Sequence, residues 1–228
     1  MATPKSRSAV VYPSAPEAPA GDRVVELSTL AAHDEWEDVR IVGADLARDR
    51  LQDLRLDRCE LQQTVLTAAE LLGLALVDVV AADCEMSGAN LHEASFLRVE
   101  LRNCRLAGID LSGCHLRDVR FIDCKLDDAN LRFVKAERME LVGCSLVDAD
   151  FSESVLSDVI FDACDLTTAE FRKASMAGTR LAGSVLERVR GVASMRGAIV
   201  SRDQVIPLAM SLLGGVGLEI EEEEEEEA

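Results

Sequence analysis

The sequence predicts an all-β fold, a rod in which parallel strands wind into square coils stacked one on the next. Three observations predict it. A large apolar residue recurs at every fifth position from Trp36 to Leu186, with Ala81 and Ala136 the small exceptions. Like residues recur every 20, as in Cys84, Cys104, Cys124, Cys144 and Cys164. No proline interrupts the chain between Ala20 and Ile206, as an unbroken ladder of backbone hydrogen bonds demands. A helix repeats every 3.6 residues and a strand every two. A strict five therefore needs a unit that turns a corner at each repeat, and four corners close a square.

Each position of the unit has its own chemistry. The centre is mostly Leu, including Leu106, Leu126, Leu146 and Leu166, with Phe at Phe96, Phe121, Phe151, Phe161 and Phe171. Two residues earlier the side chain is small or moderately apolar. All seven cysteines hold this phase, Cys59 and Cys114 joining the five already named. A second side stacks Ala69, Ala89, Ala129, Ala149 and Ala169, broken by Ile109, and a third stacks Val79, Val99, Val119, Met139 and Val159. Centre and small positions are expected to point inward. The five stacked cysteines, the four leucines above, Phe121 and Phe161 are thus the expected core ladder. Two residues after the centre stand Gly43, Gly73, Gly88, Gly108, Gly113, Gly143, Gly178 and Gly183, with Asp53, Asp118, Asp123 and Asp148 on the same phase. Both residue types tolerate positive φ, so this column predicts a recurrent turn.

Runs such as Ala44-Asp45-Leu46, Ala89-Asn90-Leu91, Ala129-Asn130-Leu131 and Ala149-Asp150-Phe151 match the motif A(D/N)LXX. Over about residues 36–200 the chain resembles the pentapeptide repeat proteins. The resemblance implies a right-handed quadrilateral parallel β-helix. About 7–8 coils, each rising about 4.8 Å, make a rod about 36 Å tall, closed by a short C-terminal capping helix.

Four segments are expected. Residues 1–25 carry Pro4, Pro13, Pro16 and Pro19 and read as a disordered arm. Residues 26–200 form the rod with its N-terminal cap, 201–218 a helical cap, and 219–228 an acidic tail dominated by Glu. In the cap, Val205, Ile206, Leu208, Ala209, Met210, Leu212 and Leu213 surround most of the helix, which predicts a buried plug over the last coil. Ser201 and Gln204 have capping-box spacing, Pro207 argues for a late or kinked start, and Gly214-Gly215 supply a stop. The resemblance adds a twofold dimer contact through Val205, Leu208, Ala209, Leu212 and Leu213, because DNA-mimicking members of the family dimerise through this end.

The net charge is −18, of which the tail holds eight Glu. Residues 1–35 carry three bases and five acids, leaving 21 bases and 29 acids on the body. One side of the rod, with Arg55, Arg58, Arg98, Arg117, Lys135 and Arg138, comes out mixed; the other three come out acidic. Neither signal peptide nor membrane span is visible. Seven thiols explained by ladder packing argue against disulfides and for a reducing cytoplasm, and the absence of a CxxC pair argues against zinc. His33, His92 and His115 are far apart, and Cys114 and His115 must point to opposite sides of the wall. No nucleotide, hydrolase or metalloprotease motif is present. The expectation is a protein without enzymatic activity, metal or cofactor.

Function is therefore sought on the outer surface. Ile122 and Val142 stack one coil apart with Ile160 on the same side, an apolar cluster of the kind that marks a protein contact. One reading is an interaction scaffold of unassigned protein partner. The alternative rests on resemblance in shape and acidity to the Qnr and MfpA type members. It is a DNA mimic that occupies the DNA saddle of gyrase or topoisomerase IV and confers fluoroquinolone protection. Neither reading includes direct nucleic-acid binding.

Overall fold

The computed structural model describes residues 11–20, 23–25 and 34–215. Short strands open the rod: β1 (Val24–Val25), β2 (Glu35–Glu37), β3 (Arg40–Val42), β4 (Arg50–Gln52), β5 (Arg55–Asp57), β6 (Glu60–Gln62) and β7 (Glu70–Leu72). Five long strands follow: β8 (Ala75–Ala82), β9 (Ser95–Arg102), β10 (His115–Ile122), β11 (Lys135–Val142) and β12 (Val155–Asp162). The strand pairings are parallel, and from β2 onward paired residues are 20 apart, as His115 with Lys135 and Lys135 with Val155. Each long strand spans two adjacent sides of the square. The other two sides are joined by the short β4–β7 ladder in the early coils and otherwise by single bridges, such as Asn90–Asp110–Asn130–Asp150. The structure is thus a parallel β-solenoid whose coil closes after four units of the repeat.

The corners follow from one column. From Asp38 to Arg188 every fifth residue has positive φ, between 47° and 88°, whether it is Gly, Asp, Arg or Phe133. Coil-to-coil hydrogen bonding holds many side chains other than glycine in a conformation that costs them about 1–2 kcal/mol each. The Asp or Asn of the motif is a second turn device. Asp110 Oδ1 accepts the Ser112 N–H at 2.8 Å and Asp150 Oδ1 the Ser152 N–H at 2.8 Å. These are Asx turns, local substitutes for a backbone bond.

Inside, centre and small columns are buried almost without exception, Trp36, Leu76 and Asp49 being less enclosed. Leu106, Leu126, Leu146 and Leu166 are 0% exposed. In the C-terminal half Phe151 stacks on Phe171 at 5.2 Å and meets Phe161 edge-on at 5.7 Å. The N-terminal half, filled by Leu and Met, keeps an apolar void of about 40 Å³ bordered by Ile41, Leu61 and Met86. Each cysteine sulfur reaches a backbone carbonyl of the coil below, Cys114 that of Leu91 at 3.1 Å and Cys144 that of Phe121 at 3.4 Å. Thr179 and Ser184 make the same bond to Leu156 and Phe161. The cysteines are therefore small weak donors in a column that Ser and Thr also serve.

All seven thiols are free and buried, and burial pushes Cys114 up to about 12. The thiolate is the reactive form, so native protein should react with a thiol reagent at least about a hundredfold more slowly than unfolded protein. Comparable rates in the two states would contradict the inward assignment.

The ends depart from the sequence expectation. The helix α1 runs Val205–Gly215, starting after Ser201 and including both glycines. It has no buried residue: Ile206 is 74% exposed and Val205 55%. The helix is not the buried plug expected: of its side chains Leu208, half-buried, packs against the core. The buried residue at this end is Gln204. It is 3% exposed, and its Nε2 donates to the Leu181 carbonyl at 2.7 Å and to that of Ser184. The Leu181 bond is the same reach to the coil below that the cysteines make, repeated by the last residue before the helix. Its Oε1 accepts the Ser201 N–H at 2.8 Å, the side-chain half of a capping box. At the other end β1 pairs with β3 and covers the first coil. The expected acidic tail lies outside the described residues.

Candidate interaction surface

With the core closed to solvent, chemistry and recognition fall to the outer columns. The clearest of these is the corner column Asp38, Arg58, Asp78, Arg98, Asp118, Arg138, Asp158, in which acid and base alternate from one coil to the next. Every arginine grips the aspartate one coil below with two nitrogens. Arg58 Nε and Nη2 meet Asp38 at 2.9 and 3.1 Å, and Arg138 Nε and Nη2 meet Asp118 at 2.8 Å each. Arg98 Nε reaches Asp78 at 2.6 Å. Such bidentate pairs are the strong form of the ion pair. Asp78 and Asp118 are buried, at 3% and 6% exposure. The Arg138 guanidinium holds the Asp118 carboxyl down at about 2, against the cost of burial.

These aspartates have a second partner. Residues 11–20, within the expected disordered arm, run antiparallel to the climb of the coils. The Ser14 N–H donates to Asp118, the Glu17 N–H to Asp78 and the Ala20 N–H to Asp38, each at 3.0 Å. Within this arm Pro13 is buried, and Pro16 and Pro19 are half-buried. The corner of the mixed side expected from the sequence is therefore neutralised internally and overlaid, while Arg117 and Lys135 stay exposed. Its signals were present as two separate patterns, the alternation of Asp and Arg and the spacing of three between prolines.

A neighbouring side carries Ile122, Val142 and Ile160. Ile122 pairs directly with Val142, and Ile160 sits over Glu140. All three are half-buried, set among Glu100, Arg120 and Glu140. Glu100, 3% exposed, pairs with Arg102 and lies 3.8 Å from Arg120, whose Nε is 3.1 Å from Glu140. Outside this strip Phe133 is 47% exposed, under the Arg132 guanidinium at 5.3 Å.

The third surface is the helical end. Val205 and Leu212 are exposed, as are Ile206 and Met210; Ala209 is exposed, while Leu208 and Leu213 are half-buried. Ile206, Met210 and Leu212 line a groove of about 730 Å³ against residues 187–193. Among the described residues the histidines stand apart. His92 Nδ1 bonds the Ser112 hydroxyl at 2.8 Å, His115 opens β10 at the surface, and His33 lies outside the described residues. Among the described residues no three His, Cys, Asp or Glu side chains gather as metal ligands, and no helix is long and apolar enough to cross a membrane.

The family model described as pentapeptide repeat region matches residues 54–131 and 114–190. No curated protein matches. Among solved structures, a trypsin-treated QnrB1, described as a plasmid-mediated fluoroquinolone resistance protein, is 18% identical with a TM-score of 0.49, covering 85% of this chain and 96% of that one. HetL of Nostoc sp. strain PCC 7120, described as involved in heterocyst differentiation regulation, is 21% identical with a TM-score of 0.37, covering 79% and 90%.

Proposed function

The chain belongs to the pentapeptide repeat family, and from that premise we propose that it is a non-enzymatic protein whose outer faces hold a protein partner. The supporting observation is where its reactive groups are spent. Thiols face the core, motif acids accept turn amides, and the corner arginines are paired within the wall. One surface left for recognition is the strip of Ile122, Val142 and Ile160, flat because it lies on the regular ladder of β10, β11 and β12. Replacing Ile122 and Val142 by Lys leaves the core untouched and tests the strip. A protein retained from cell extract by the natural chain and lost with this variant, at equal melting temperature, supports the reading. Equal retention by both overturns it. The seven free thiols fit a reducing cytoplasm.

The exposed apolar face of α1 supports a twofold contact between copies at the helical end, through Val205, Leu208, Ala209, Leu212 and Leu213 with Ile206 and Met210. Met210→Glu should then sediment as a monomer where the natural chain sediments as a dimer. The same mass for both rejects the contact.

A second reading is the DNA mimic, a competitor for the DNA site of a type II topoisomerase such as gyrase. It is favoured by the charge of −18 and by exposed acids on neighbouring coils, Asp128 with Asp148. A supercoiling assay with gyrase, with and without a fluoroquinolone, decides it. Neither inhibition nor protection at tens of micromolar protein would sink it.

A further inference from the structure

The arm and the corner column share a spacing. In the arm, prolines stand at 13, 16 and 19, and the residue after each donates its N–H to the column. In a polyproline II helix three residues advance about 9.3 Å. Two coils of the rod advance about 9.6 Å. From Ser14 to Ala20 the mismatch accumulates to only about 0.6 Å. An extended strand repeats a face after about 6.7 Å, which does not fit. A helix completes a turn in about 5.4 Å, which fits no better.

The column enforces the same spacing. Its carboxylates occur on every second coil, and the coils between carry Arg58, Arg98 and Arg138, which offer no acceptor. It therefore accepts one N–H in three. The prolines suit this. Each fixes φ near the polyproline value and lacks an N–H at a position where none is needed. They also face the rod, while Ser14, Ala15, Glu17 and Ala18 are exposed. One rung remains. Asp158 continues the column, is exposed, and has Gly178 above it instead of an arginine. Among the described residues no hydrogen bond or ion pair reaches it.

We propose that this corner is a peptide-binding site for a polyproline II segment with proline at every third residue, and that residues 13–20 of the same chain are its resident ligand. The aspartates select by spacing and the arginines hold them in place. The arm closes the corner against other contacts for as long as it is docked.

Two measurements on the full-length chain test this. By NMR hydrogen exchange, the amides of Ser14, Glu17 and Ala20 should exchange about tenfold more slowly than those of Ala15 and Ala18. Asp78→Gly should bring Glu17 to the rate of Ala18 and leave the Leu126 amide unchanged. Glycine keeps the turn, since Gly178 holds the same column at φ 86°. In trans, a fluorescein-labelled peptide of residues 11–20 should bind the Pro13→Ser, Pro16→Ser, Pro19→Ser protein about tenfold more tightly than the natural chain, whose site is filled at high effective concentration. Adding Asp78→Gly and Asp118→Gly should abolish that gain. Uniform exchange across the five arm amides, or no gain in peptide binding on disrupting the arm, overturns the proposal.

Discussion

Leu126→Asp should unfold the middle of the rod. Leu126 is 0% exposed, and its amide is bound to the Ser145 carbonyl at 2.7 Å, so the backbone is fixed while the side chain changes. Truncating a buried Leu to Ala costs about 2–5 kcal/mol. An unpaired carboxylate in the same space costs several kcal/mol more, against a total stability of about 5–15 kcal/mol for a typical domain. In a stacked rod each coil contacts only its neighbours, so the damage begins at the coils above and below Leu126. The expected result is a melting temperature lower by at least about 10 °C and new protease cleavage near residues 106–146. An unchanged melt with intact protease resistance would refute the packing scheme.

Gly191→Ala should be far more damaging than Gly178→Ala, although both glycines have positive φ, at 74° and 86°. At Gly178 an added Cβ meets nothing within 4 Å. Its cost is the left-handed strain alone, about 1–2 kcal/mol. At Gly191 the added Cβ would lie 2.4 Å from the Arg172 nitrogen and 2.6 Å from the Phe171 carbonyl carbon. Both are backbone atoms of the coil below, so the final coil must lift. Clash and strain together should cost about 3 kcal/mol or more. Gly191 also starts the 3₁₀ turn η1 (Val192–Ser194), against which α1 packs. Limited proteolysis should release the helical end in Gly191→Ala and spare it in Gly178→Ala. Equal protection of both variants would mean the last coil adapts freely.

Much of the rod was legible because its signal is repeated. A five-residue phase with a superperiod of 20 is hard to produce by chance, and the positive-φ column that Gly and Asp suggested extends through Arg58 and Phe133 as well. The ends were less legible because each rests on a single short segment. Seven apolar residues on α1 suit a plug and an interface equally, and composition could not say that Gln204 is the buried residue at this end. The arm was missed for a different reason. Four prolines within residues 1–25 look like chain that cannot bury a core. Their spacing gains meaning only beside the Asp and Arg alternation, a pattern of period 40 at a distant place in the sequence. Likewise Ile122, Val142 and Ile160 could be placed on one side, but their half-burial among Glu100, Arg120 and Glu140 depends on neighbours from adjacent coils.

Every column, the arm's register included, depends on a coil that closes after four units of the repeat. A spin-label distance measures this directly. Arg55 and Ser175 are exposed members of one column, linked through Ala75, Ser95, His115, Lys135 and Val155 by parallel pairing. Cysteines introduced at both positions should label selectively, since the native thiols are buried. Six coils of about 4.8 Å predict a narrow distribution of backbone separations centred near about 29 Å. A broad distribution, or a centre beyond about 40 Å, would contradict the stacked coil and every surface assignment built on it.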